Sequence, residues 1–190
     1  MNSIETLVRK ILSEIRVKQK DPFGWGTEHK IYPSQRHPDR LYKIGEKESV
    51  DRWFELFKSN PNIFPKVYAS GYFKNKPDVK FVEIEKLDTK RVDEEWTNLE
   101  FALQDIGMLD EDLEYLDDIF YTIATENHNV EEILKKLKLY SPKNYLLFKK
   151  WTDFITSVSR FLKSKGYEYF DVHRHNFGYD KSGNIKALDI

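Results

Sequence analysis

Cysteine is absent from all 190 residues. Thiol nucleophiles, disulfide scaffolds and Cys-ligated zinc are excluded together, and the absence fits a reducing compartment. A basic excess is missing as well: 31 Lys+Arg stand against 32 Asp+Glu, for a net charge of −1. General nucleic-acid binders carry such an excess, so no nucleic-acid partner is expected. No apolar run approaches the length of a membrane span. The opening MNSIETLVRKILSEIRVKQK is charged every few residues and lacks the apolar stretch of a signal peptide. A cytoplasmic location without a membrane partner is therefore expected. Internal repeats and low-complexity tracts are lacking too. What the chain has in quantity is aromatic: 4 Trp, 11 Tyr and 13 Phe. Those rings can close a core that 39% hydrophobic and 33% charged residues would otherwise leave thin. The length fits one domain, or two small lobes.

Hydrophobic periodicity divides the chain. Ile4, Leu7, Val8, Ile11, Leu12 and Ile15 recur at helical spacing and predict an amphipathic helix over 3–19, capped by Ser3. Lys30-Ile31-Tyr32 and Leu41-Tyr42-Lys43-Ile44 read as a hairpin around the polar connection 33–39. A helix is predicted over 46–59, with Val50, Trp53, Phe54 and Phe57 on one side and Asn60-Pro61-Asn62 as its stop. A second strand pair is predicted at 66–73 and 79–86. Beyond Leu87, helices are predicted near 91–106, 111–126, 130–139 and 142–165, the last ended by Gly166. The tail carries short strands and a turn at Asp180-Lys181-Ser182-Gly183-Asn184. The fold class is α+β, divided at 1–87 and 88–190.

Chemistry concentrates in Asp171-Val172-His173-Arg174-His175-Asn176-Phe177-Gly178 and in Ile185-Lys186-Ala187-Leu188-Asp189-Ile190. Asn176 follows Asp171 by five residues, and Asp189 comes thirteen after that, across a hairpin. A carboxylate can take a hydroxyl proton, while an amide oxygen and a second carboxylate are hard ligands that suit magnesium. Zinc is disfavoured. Besides His173 and His175 the histidines are His29, His37 and His128, and none is spaced as a third ligand. His173 reads best as a side chain that organises the loop, and His175 as exposed. The acidic stretch Asp110-Glu111-Asp112-Leu113-Glu114 reads as a helix start, and Lys135-Lys136-Leu137-Lys138 as a solvated helix end.

This arrangement resembles the protein-kinase-like superfamily, whose catalytic loop carries Asp-x-x-x-x-Asn and whose metal-binding Asp ends the following hairpin. Asp171-Val172-His173 is closest to the branch of aminoglycoside phosphotransferases and small phage-type kinases. Tyr169-Phe170 stand where protein kinases carry His-Arg, and His173 where they carry Lys. Gly24-Trp25-Gly26-Thr27-Glu28-His29 resembles the glycine-rich loop, with His29 in place of the third glycine. Lys43 resembles the strand lysine that meets the phosphates, with Glu48 or Asp51 as its acidic partner. Phe81 to Leu87 resembles the strand that enters the hinge.

The resemblance implies a bilobal kinase-like fold, with an antiparallel-sheet lobe carrying one main helix and a helical lobe kept minimal after Asp189. ATP and Mg2+ would be the cofactors. Adenine would rest on Ile84 and on backbone groups from Glu85 to Leu87, with Gly24, Gly26 and Lys43 at the phosphates. Asn176 and Asp189 would hold the metal, and Asp171, assisted by Lys43 and His173, would activate a hydroxyl. The implied activity is phosphotransfer to a protein Ser/Thr or a small molecule, with a host protein as target if the chain is phage-encoded. The alternative is a pseudokinase that acts by binding a partner protein. ATP against GTP, the acceptor and the oligomeric state are left open by the sequence.

Overall fold

The computed structural model describes residues 24–25, 29–34, 36–73, 76–109, 116–126, 130–167 and 171–189. The helix expected over 3–19, Gly26 with its neighbours to Glu28, the acidic stretch 110–114, His128 and Tyr169-Phe170 lie outside these residues. The described residues form two compact units, which divide between Leu87 and Asp88. One is a small antiparallel sheet with a helix and the other is mostly helical, so the fold is α+β.

The first unit holds β1 (Gly24–Trp25), β2 (His29–Pro33), β3 (Arg40–Glu46), α1 (Lys47–Ser59), β4 (Val67–Phe73) and β5 (Lys76–Glu85). The sheet order is β1-β2-β3-β5-β4, which puts β3 at its centre. Register pairs Leu41 with Ile84, Lys43 with Val82 and Gly45 with Lys80. Strand side chains alternate between faces, so these residues share one face, and α1 lies over it. The opposite face gathers Tyr42, Phe73 and Phe81, with Tyr32, Ile44 and Val79 against them. Gly71 sits opposite Phe81 in the ladder, and a Cβ there would lie 2.9 Å from two atoms of that ring. Glycine is thus required by the ring that covers it. Helix α1 buries Val50, Trp53, Leu56 and Phe57. Phe54, expected in that stripe, falls at its edge, 4.8 Å from Lys58 Nζ and 5.1 Å from Lys80 Nζ.

The second unit holds α2 (Lys90–Asp105), α3 (Leu116–Glu126), α4 (Glu131–Tyr140), α5 (Pro142–Ser164), a 3-10 turn (Arg174–Asn176), β6 (Phe177–Tyr179) and β7 (Ile185–Ala187). Ser141 caps α5 by accepting the Asn144 N–H, with Pro142 inside the first turn. The helix ends as the sequence predicts: Gly166 takes φ +83°, and the N–H groups of Gly166 and Tyr167 close onto the carbonyls of Lys163 and Leu162. Trp96, Trp151, Phe120, Phe148 and Phe177 are all fully buried and form one aromatic core among α2, α3, α5 and β6. Among the described residues no helix is long and apolar enough to cross a membrane.

Candidate functional site

In the second unit the hairpin register decides which residues meet. Phe177 pairs with Ala187. The residue before β6 therefore faces the residue after β7, and the Leu188 N–H donates to the Asn176 carbonyl at 2.7 Å. Asp189 follows directly. Asn176 Nδ2 donates to the Asp171 carboxylate at 3.0 Å and to the Asp171 carbonyl at 3.1 Å. The backbone positions of Asp171, Asn176 and Asp189 thus lie near one end of the hairpin. With Nδ2 committed to Asp171, the Asn176 amide presents its oxygen away from that residue, as a metal ligand requires. Asn176 and Asp189 are hard oxygen donors of the kind a magnesium ion takes. Among the described residues no three His, Cys, Asp or Glu side chains are grouped to hold a metal by themselves.

The loop between Asp171 and Asn176 is fastened on both sides. Its 3-10 turn leads straight into Phe177, whose ring is buried against Trp96, Trp151 and Phe154. The Arg174 guanidinium pairs with Glu100 on α2. His173 Nδ1 accepts the His175 N–H, and the two rings lie 4.8 Å apart. His173 Nε2 faces Asp117 on α3 at 3.6 Å. His173 therefore organises the loop, as expected, and His175 is exposed. Burial pushes the Asp117 carboxyl up, against the downward pull of neighbouring His173 and Arg174.

Behind the hairpin stands a polar cluster. Glu95 accepts from Trp151 Nε1 at 3.0 Å, from Arg91 Nε at 3.0 Å and from the Tyr179 hydroxyl. Lys150 Nζ donates to the same hydroxyl at 2.8 Å. Burial pulls the Lys150 ammonium down. Burial, then the Glu95 hydrogen bond and charge, hold the Tyr179 phenol far above its ordinary value. A phenol whose folded value is raised contributes stability that is complete below its unfolded value of about 10 and is lost as pH rises further. Urea melts are therefore expected to show the wild-type chain losing stability more steeply than Tyr179→Phe above about pH 10. Equal alkaline slopes would remove this assignment.

In the first unit, Lys43 is 1% exposed, and its Nζ lies 3.1 Å from the centroid of the Trp53 ring. Of the two acids left open as its partner, Asp51 pairs with Lys80, and Glu48 lies exposed in the first turn of α1. The Trp53 indole face stands against this ammonium. A desolvated cation on such a face gains on the order of 2 kcal/mol, which offsets part of the cost of burying it. Ile84 is fully buried on the same sheet face, two residues along from Val82. The backbone N–H groups of Glu85 and Lys86 donate to the carbonyls of Lys66 and Asp39, both at 2.9 Å. Of the backbone groups expected at an adenine edge, these two donors are already used. Gly24 begins the β1–β2 hairpin, where it pairs with Ile31.

Sequence reasoning did not single out Asp117, Glu100 or Glu95. Each acid interrupts or flanks an apolar stripe: Asp117 follows Leu116 and precedes Ile119 and Phe120, and Glu95 and Glu100 adjoin Trp96 and Leu99. An acid at the edge of a buried face was the available signal. No protein-family model matches the chain, and no curated protein does.

Proposed function

We propose that this chain is an ATP-dependent phosphotransferase, and that its two units are the lobes of a protein-kinase-like fold. The observation that carries the reading is the convergence of Asp171, Asn176 and Asp189 at the end of the β6–β7 hairpin. In the proposed reaction, the oxygen of an acceptor hydroxyl forms a bond to the γ-phosphorus while the bond from that phosphorus to the bridging oxygen breaks, and ADP leaves. Asp171 orients the hydroxyl and takes its proton. Asn176 and Asp189 hold magnesium, which when bound neutralises charge on the outer phosphates. Lys43 approaches the inner phosphates, and Ile84 with the Glu85–Leu87 backbone supports the base. The protein's contribution is mostly positioning and charge. A protein Ser/Thr or a small-molecule alcohol fits this chemistry as acceptor. The test is ATP labelled on its terminal phosphate, incubated with magnesium and the purified chain. Transfer or hydrolysis that disappears in Asp189→Ala supports the reading; equal label release by both proteins removes it.

The seat of Lys43 under Trp53 favours a second reading, a pseudokinase that binds a partner protein. At 1% exposure the ammonium offers no open side to a phosphate, so nucleotide binding requires it to leave the ring. Magnesium-ATP is therefore expected to change tryptophan emission with saturation, and the change should vanish in both Trp53→Phe and Lys43→Met. Emission that ignores nucleotide in the wild-type chain favours the pseudokinase.

A further inference from the structure

We propose that Asp117 is the positioning residue of the 171–176 loop, fixing the His173 ring and, through it, the Asp171 carboxylate. Its consequence for turnover rests on the phosphotransfer reading; its consequence for the loop does not. Asp117 lies in the first turn of α3, remote in sequence from the residues it meets. Its Oδ2 is 3.6 Å from His173 Nε2. Its Oδ1 is buried with no hydrogen-bond partner among the described residues. A carboxylate taken from water with one oxygen unsatisfied costs stability, and such a cost marks a side chain kept for something other than folding.

The hydrogen bonds of the loop show what that is. His173 Nδ1 accepts the His175 N–H at 3.3 Å. A neutral imidazole that accepts on one nitrogen carries its hydrogen on the other, and that atom, Nε2, is the one facing Asp117. The two contacts together select one tautomer and one ring orientation. The rest of the loop hangs on this residue: the Asn176 N–H donates to the His173 carbonyl at 2.8 Å, and Asn176 Nδ2 donates to Asp171. Glu100 holds the Arg174 side chain independently. Removal of Asp117 should therefore loosen the ring and the turn while leaving the loop attached.

The experiment compares the full wild-type chain with Asp117→Ala, Asp117→Asn and a control, Asp118→Ala, an exposed neighbour on the same turn. Three quantities are read: the imidazole nitrogen shifts of His173, amide exchange at Arg174 and Asn176, and kcat and KM with magnesium-ATP. Asp117→Ala is expected to show both His173 tautomers and faster exchange at both amides. Its kcat is expected to fall by ~10–100-fold with KM for ATP held, the size of effect seen when outer partners of a catalytic group are removed. Asp117→Asn keeps the size of the side chain and one acceptor oxygen but loses the charge, so it should weaken the tautomer bias less than the alanine variant does. This variant carries the test if the alanine variant fails to fold. The control should match wild type in all three. Unchanged ring shifts and exchange in the Asp117 variants would overturn the proposal at any level of activity, and so would an unchanged kcat in an active chain. A wild-type chain without turnover would instead remove the phosphotransfer reading, and the shifts and exchange would still decide the role of Asp117.

Discussion

Asp171→Asn is expected to reduce phosphoryl transfer by on the order of 10²–10⁴, the contribution of a positioned general base, while the melting temperature stays close to that of wild type. The separation follows from where the side chain sits. Asp171 is exposed, so its replacement empties no core volume. The amide introduced by the substitution can turn its oxygen toward Asn176 Nδ2 and so keep the hydrogen bond that ties the ends of the loop. The charge and the proton acceptor are what the variant loses. Asp189→Ala should reduce transfer at least as far by removing one of the two ligands proposed for magnesium, and it should also shift the magnesium dependence of the rate to higher concentration. Labelled phosphate released or transferred per unit time measures both. Transfer by Asp171→Asn within twofold of wild type would show that this carboxylate takes no part in the reaction. A partner-binding function that survives the same substitution would establish the pseudokinase.

Trp151→Ala is expected to have the largest effect on stability, about 3–5 kcal/mol as is usual for a buried tryptophan. The indole is fully buried, with ring centroids of Trp96 at 5.3 Å, Phe177 at 5.5 Å and Tyr179 at 6.2 Å. Its Nε1 donates to Glu95 at 3.0 Å, so truncation also takes a donor from a half-buried carboxylate. A domain of this size shifts by roughly 2–4 °C per kcal/mol, which predicts a melting temperature about 10 °C lower. Leu139 is 83% exposed, and Leu139→Ala should change stability by no more than about 0.5 kcal/mol. Urea melts of the two variants beside wild type check both figures. Equal losses would mean that the aromatic cluster is not the core of this unit. Phe177 belongs to the cluster and adjoins Asn176, so any activity that survives in Trp151→Ala should be more sensitive to temperature than in wild type.

Much of the secondary structure was legible in the sequence because it depends on short-range patterns. Val50, Trp53 and Phe57 recur at helical spacing, and α1 buries all three. Gly166 marks a helix end through local geometry alone. The nearness of the segments that carry Asn176 and Asp189 was legible for the same reason, since a two-stranded hairpin of fixed register joins them. Phe54 lies at the edge of that stripe, half-buried beside Lys80, and periodicity does not say how far a sheet will cover an edge residue.

By itself the sequence determined the α+β class, the aromatic core composition, the hairpin that carries the candidate site, and the exclusion of thiol chemistry. Each of these follows from composition or from residues a few positions apart. Only the tertiary structure decided which groups hold the site in place. Arg174 meets Glu100 across 74 positions, and Tyr179 meets Glu95 across 84. It also decided that Lys43 rests on Trp53 and that Asp51 belongs to Lys80. Such pairings depend on how a helix is rotated and seated on its neighbours. That is fixed by the packing of many side chains at once, which no local spacing encodes.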